Sequence, residues 1–173
     1  AVSILDVNLL GEVLFQSAGS TFRKKPFAAA QSLGSDVDKG TISDEGPLIA
    51  LSRSSNGSVV LRSEAASGTV TFPTGFGPSP LGTNPKIDGR GSAVAGNIQR
   101  TAGAVNDIFL FERATDTSVA LNWGSIPGAP SNVQIGGISD GAVFAYGRLP
   151  SSTLLGRYVR PLGRWNSQSL AKP

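Results

Sequence analysis

Apolar positions along this chain recur at the strand period, in short runs broken by turn residues. The densest patterning lies between Asn106 and Arg148. Ile108, Phe109, Leu110 and Phe111 form a continuous apolar run, which suits a strand covered on both faces. Thr117, Val119, Leu121 and Trp123 alternate with Ser118, Ala120 and Asn122, which predicts a strand with one bulky face and one small or polar face. Ala114 to Asp116, Gly124 to Pro130 and Gly136 to Gly141 supply the connections. The stretch therefore reads as four strands and three turns.

The pattern continues on both sides. Ile4, Leu5 and Val7, then Val13 to Phe15, predict two short strands or one bent strand, pairing within their own sheet or added to the edge of a neighbour's. Pro47 to Phe72 reads as a three-strand meander. Its first turn is Ser54 to Gly57, where Asn-Gly supplies the positive φ values of a tight hairpin. Arg53 and Arg62 lie on this hairpin, near one another, and read as exposed edge or solvent-face residues. Pro26 to Gly34 predicts a two-turn helix, with Pro in the first turn, three alanines and a terminating Gly. Ser92 to Val105 fits either a short helix interrupted at Gly96 or an irregular strand. The run Leu154 to Val159 adds one more strand. Between Pro73 and Gly91, nine of 19 residues are Gly or Pro, which reads as a long loop with Phe76 and Leu81 as its apolar anchors.

Composition sharpens the fold class. The chain has 173 residues, enough for one domain with a sizeable core, and its 22 Gly and 11 Pro favour many short strands over long helices. The expected architecture is all-β: an antiparallel β-sandwich or jelly-roll-like barrel with one or two short helices and long loops. Residues 1–173 form a single domain. It carries an N-terminal arm over about residues 1–16, the loop 73–91, and a C-terminal arm over about residues 161–173.

Candidate chemistry is sparse. The sequence has neither Cys nor His, which removes thiolate sites, the usual neutral-pH base and the commonest metal ligand. No phosphate-binding glycine loop or nucleophile elbow occurs. The carboxylate pairs Asp36/Asp38 and Asp44/Glu45 lie in a turn-rich segment and read as solvation. The DVDKG segment fails the EF-hand template, since Gly40 and Leu48 stand where ligands are needed. The chain is read as a non-enzyme with no cofactor and no metal site.

Charge adds little direction, with a net value of +3. The Phe22 to Lys25 run, FRKK, reads as a solvated loop or as a contact for phosphate or an acidic partner. From Gly141 onwards Arg148, Arg157, Arg160, Arg164 and Lys172 are unopposed by any acid. They read as a cationic rim, with nucleic-acid contact the weaker alternative. Trp123, Tyr146, Tyr158 and Trp165 are the candidates for sugar stacking, although Trp123 continues an apolar face. No apolar run approaches the roughly 18 residues of a membrane span.

This texture, β-rich and turn-dense without His, Cys or a catalytic motif, resembles the small β-sandwich head proteins of tailed phages. The resemblance implies a structural virion subunit, a coat or a capsid decoration (cement) protein. Its partners would be other copies of itself or a major capsid-type protein. Contacts are expected through Ala1 to Asp6, Pro73 to Gly91 and Gly163 to Pro173. Phe76, Leu81 and Trp165 are the expected apolar anchors, and Arg157, Arg160 and Arg164 the charged ones. The expected location is a virion made in a host cytoplasm, which agrees with Ala1 exposed by removal of an initiator Met. The alternatives are a secreted carbohydrate-binding or adhesive module and a pilus-like subunit.

Overall fold

A computed structural model describes residues 1–45, 48–64, 66–80, 82–101 and 105–171. Four antiparallel meanders follow one another along the chain. The first joins β1 (Val2–Val7), β2 (Val13–Ser17), β3 (Ser20–Lys24) and β4 (Gln31–Gly34). The second joins β5 (Lys39–Ile42), β6 (Ile49–Ser52), β7 (Val59–Arg62) and β8 (Ser67–Thr69). The third contains β9 (Phe76–Pro78), β10 (Lys86–Ile87), β11 (Ala93–Arg100), β12 (Asn106–Glu112) and β13 (Thr117–Ala120). The fourth joins β14 (Val133–Ser139), β15 (Ala142–Arg148), β16 (Ser152–Val159) and β17 (Arg164–Ala171).

Each sheet packs on the next through its first strand: β1 on β5, β5 on β10, and β10 and β11 on β14. The all-β class is observed, but the sandwich or jelly roll is not. A sandwich shares one core between two facing sheets, whereas here each pair of neighbouring sheets builds its own. Leu14 and Leu33 meet Ile42, Ile49 and Leu51 in the first seam. Ala50 and Val59 meet Val94, Ile98, Phe109 and Phe111 in the second. Ile108 and Leu110 meet Val133, Ile135, Val143 and Leu154 in the third. This arrangement explains the continuous apolar runs. β12 sends Phe109 and Phe111 to one seam and Ile108 and Leu110 to the other, so all four are buried. On the first sheet Val2, Ile4 and Val7 are exposed.

Several local expectations change. No helix forms over Pro26 to Gly34. Phe27 adopts a positive φ, and Gln31–Gly34 pairs with β3 instead. Two helical turns cannot offset their nucleation cost without a packed face, and a strand pairing was on offer. The Pro73 to Gly91 segment is not a structureless loop. β9 pairs with Ile98 to Arg100 and β10 pairs with Val94 and Ala95, so together they form an interrupted first strand of the third sheet. Pro is tolerated there because this strand pairs on one side only. Segment 92–105 resolves as a strand through Arg100. Gly96 is required where β11 crosses Phe109, since a Cβ would stand 2.7 Å from the ring and 2.8 Å from the Thr83 carbonyl oxygen.

Both arms are strands of their own sheets. β1 pairs with β2, and β17 pairs with β16 from Val159↔Arg164 to Ser152↔Ala171. The bulky alternation of Thr117 to Trp123 breaks at Asn122, which is left-handed (φ 55°) and opens a 3-10 turn at Trp123. Thr117 and Val119 are exposed, while Leu121 and Trp123 are buried.

Candidate functional site

Polar groups close the ends of each seam. In the first, Asp6 Oδ2 accepts from the Thr41 hydroxyl at 2.7 Å and the Ile42 amide at 3.0 Å. Arg23 lies on the inner face of β3 and is buried with Glu12, its Nη2 2.9 and 2.8 Å from the two carboxylate oxygens. Asn8 adds a bond to Glu12 at 3.3 Å. At the rim, Glu64 meets Lys25 and lies 3.9 Å from Arg23, and the Lys25 ammonium holds its carboxyl below the ordinary range. The cations of FRKK are therefore spent inside the molecule, and Phe22 stacks on Phe15 at 5.4 Å.

The second seam opens into a cleft of about 560 Å³, lined by Asp38, Arg53, Ser55, Asn56, Pro78 and Gln99 among others. Its wall is the Ser54 to Gly57 hairpin. Gly57 has φ +65°, and a Cβ there would stand 2.5 Å from the Pro78 Cβ, so glycine is required twice over. Thr83 Oγ1 donates to the Gly57 carbonyl at 2.7 Å and pins the hairpin to the third sheet. Asp36 accepts from the Ser55 hydroxyl and amide at 2.7 and 2.8 Å, with Arg53 at 3.6 Å. The Ser55 bonds, then the Arg53 charge, draw the Asp36 carboxyl below its ordinary value. The side chains of Asp38 and Gln99 have no protein partner among the described residues and face the cleft.

The third seam is closed by aromatic and ionic contacts. Trp165 Nε1 donates to the Leu121 carbonyl at 2.7 Å, and its ring packs edge-to-face on Trp123 at 5.3 Å and on Tyr158 at 5.4 Å. Arg160 reaches Glu112 at 2.6 Å and the fully buried Asp88 at 3.4 Å. Asp107 is the one acid pushed upward. Burial raises its carboxyl, while amide bonds from Trp123 (3.0 Å), Ile108 (2.7 Å) and Asn122 partly offset the effect. It is engaged by backbone donors inside the core.

The residues singled out from sequence are dispersed. Phe76 is half-buried against the second-seam core, with the Arg100 guanidinium 5.5 Å from its ring centre. Trp165 and Arg160 are engaged within their own chain. Arg164 lines a cleft of about 400 Å³ beside Trp165. Arg157 is exposed on β16, opposite Asn166. Leu81 lies outside the described residues. Glu12, Asp88 and Asp107 escaped sequence reasoning because their burial, and for Asp88 its ion pair with Arg160, are set by the packing of neighbouring sheets. Arg23 carried one signal: within β3 it shares a face with Thr21, and both are buried.

Successive four-stranded meanders stacked through their first strands define the β-propeller class, with each sheet a blade. No protein-family description matches the sequence, and no curated protein matches it. Among solved structures, the chain resembles the putative TolB of Agrobacterium tumefaciens with a TM-score of 0.65 at 12% identity, over all of this chain and 62% of that one. It also resembles TolB of Acinetobacter baumannii, with a TM-score of 0.54 at 11% identity, over 95% of this chain and 40% of that one. A third is the oligogalacturonate lyase of Vibrio parahaemolyticus, with a TM-score of 0.58 at 7% identity, over 99% and 67%. At these identities the likeness shows the fold. The chain spans about three fifths of the first TolB structure.

These neighbours overturn the capsid reading: the chain is built like TolB-type propeller proteins and not like a coat or decoration subunit. Turn-dense β composition is common to both classes, which is why texture misled. The pilus-like alternative also fails, because β1 completes its own sheet. The sugar-stacking candidates are drawn inward: Trp123 is buried, and Tyr158 and Trp165 pack on one another. No helix among the described residues is long and apolar enough to cross a membrane.

Proposed function

We propose that the chain is a binding scaffold without catalytic chemistry of its own, and that it engages an extended peptide segment in the polar cleft of the second seam. One observation carries the reading. The cleft of about 560 Å³ presents an acceptor at Asp38, donors at Arg53 and both kinds of group at Gln99, on a hairpin fixed by Gly57 and Thr83. A peptide backbone offers the complementary mixture of N–H and C=O groups. A rigid platform holding a few oriented polar groups recognises such a ligand without reorganising. The absence of His and Cys from the sequence and the sequestered position of Asp107 both support binding over turnover.

Amide-resolved NMR titration with pooled short peptides tests this. Shifts should cluster at Ser52 to Gly57 and Gln99, and should disappear in Gln99→Ala and Asp38→Ala variants that keep the fold. Shifts confined to other surfaces, or responses unchanged in both variants, would reject it.

A further inference from the structure

The outward face of the fourth sheet takes no part in the seams or in the peptide cleft. Strand register sorts its side chains. Leu154, Gly156 and Tyr158 of β16 are directed at the third seam, so Thr153, Leu155 and Arg157 point away from it. The pairs Phe144↔Arg157, Tyr146↔Leu155 and Arg148↔Thr153 carry this outward face onto β15. Asn166, Gln168 and Leu170 carry it onto β17. Phe144, Leu155 and Leu170 are 43%, 38% and 43% exposed there, and Arg148 and Arg157 are exposed beside them. Neither guanidinium has an acid or any hydrogen-bond partner among the described residues. The four strands of the sheet contain no Asp or Glu. The charged groups around the face are engaged elsewhere: Asp140, in the turn between β14 and β15, lies 3.0 Å from Arg90, and Arg160 is held by Glu112 and Asp88. Arg164 shares the outward face at the end of the hairpin, opposite Val159, but it also lines the cleft beside Trp165. The face therefore keeps two cations of its own and shares a third.

Exposed cations that no acid opposes attract anions, and their fields add. The spacing says which anion. Phe144 stands directly opposite Arg157, with about 5 Å between Cβ atoms. Arg148 lies four residues further along β15, about 13 Å on. The two arginines thus flank the rings of Phe144 and Tyr146. A sheet face with aromatic rings between cations is a platform on which splayed bases stack while their phosphates meet the guanidiniums. An anionic membrane would favour apolar side chains that project past the cations, whereas Phe144, Leu155 and Leu170 are each more than half covered. A duplex would be read by a helix or ribbon entering its groove, and this face offers neither. We propose that the outward face of the fourth sheet binds single-stranded nucleic acid, with Phe144 as a stacking residue and Arg148 and Arg157 as phosphate contacts. This surface shares no residue with the peptide cleft, so either reading can fail without the other.

The test uses the full chain and measures fluorescence anisotropy of labelled oligothymidylate and oligouridylate across a salt series. Two or three phosphate contacts on a single strand should give a log–log salt slope of roughly −1.4 to −2.1. Arg148→Gln and Arg157→Gln should each weaken binding and flatten the slope by about 0.7. Phe144→Leu keeps an apolar side chain and removes the ring. It should weaken binding about fivefold or more at an unchanged slope, because stacking carries no charge. All three positions are exposed, so melting temperatures should stay close to the parent's, and the two arginine variants carry the test if the Phe144 variant fails to fold. Duplex DNA, heparin and phosphatidylserine vesicles are the competing probes. The inference is overturned by no oligonucleotide binding at low salt, by affinities that neither arginine variant changes, or by tighter binding of duplex than of single strands. Binding to vesicles without binding to oligonucleotides would reassign the face to a membrane surface and overturn it too. Heparin bound as tightly as oligonucleotide, with Phe144→Leu changing neither, would leave only charge attraction and would also overturn it.

Discussion

Gly156 occupies the space between two indoles. A Cβ there would stand 2.6 Å from Trp123 Cζ3 and 3.0 Å from Trp165 Cε3. Neither ring can retreat, because Trp123 is buried and Trp165 is tied to the Leu121 carbonyl. Gly156→Ala should cost about 1–3 kcal/mol by overpacking, visible as a lower denaturation midpoint and an altered near-ultraviolet circular dichroism band. The Glu12–Arg23 pair behaves differently. Removing one partner leaves a buried charge, so Glu12→Ala should cost about 3–5 kcal/mol in denaturant unfolding, whereas replacing both residues with apolar ones of similar volume should cost far less. Asp107 sets a pH dependence of its own. Its carboxyl is raised above the ordinary 3.8, so the folded state binds this proton more readily than the unfolded chain does. Its contribution to stability is complete below 3.8 and is lost as pH rises through the raised value. Asp107→Asn keeps an acceptor for the Trp123 and Ile108 amides. Melting temperatures from pH 3 upwards should therefore lose that decline, with neutral-pH stability equal to or above the parent's. Asp36 and Glu64 act in the opposite sense: their lowered carboxyls contribute above their ordinary values and cease to as pH falls through the folded ones. Both are surface groups, so the effect is small and screened by salt.

At the level of elements, β17 shows how a tail becomes part of a sheet. Residues Arg164–Ala171 look polar and unpatterned, and seven of the eight are exposed. They order because β16 offers a paired edge and Trp165 enters the third seam. Truncation after Gly163 should therefore lower stability severely, through loss of the Trp123–Trp165 contact and exposure of the β16 edge, as measured by thermal unfolding and intrinsic fluorescence. The split first strand of the third sheet teaches the same lesson. Its Gly and Pro density was legible, but its pairing was not, because Phe76–Pro78 and Lys86–Ile87 gain their partners from the opposite ends of β11. The Ser54 to Gly57 hairpin was legible at Gly57, whose φ is positive, but Asn56 does not take the positive φ expected of it.

For the molecule as a whole, contacts run from each sheet to its neighbour, in the quasi-one-dimensional manner of repeat folds. Damage should stay local. Glu12→Ala should lower hydrogen-exchange protection in β1 to β4 and their contacts in β5 and β6, while β14 to β17 keep theirs. Arg160→Ala should do the reverse, since Arg160 ties the fourth sheet to Glu112 and Asp88 of the third. Uniform loss of protection in either variant would refute this division.

The sequence by itself determined what depends on near neighbours: strand periods, the hairpin at Gly57, burial of Ile108 to Phe111 on both faces, and the lack of His and Cys chemistry. A strand buried on two faces looks the same whether its neighbours are the halves of a sandwich or successive blades, so the sheet arrangement belonged to the tertiary structure. The sites did too. Glu12 with Arg23 and Asp88 with Arg160 are defined by residues brought together from separate parts of the fold, and no local pattern encodes which charge will find a partner.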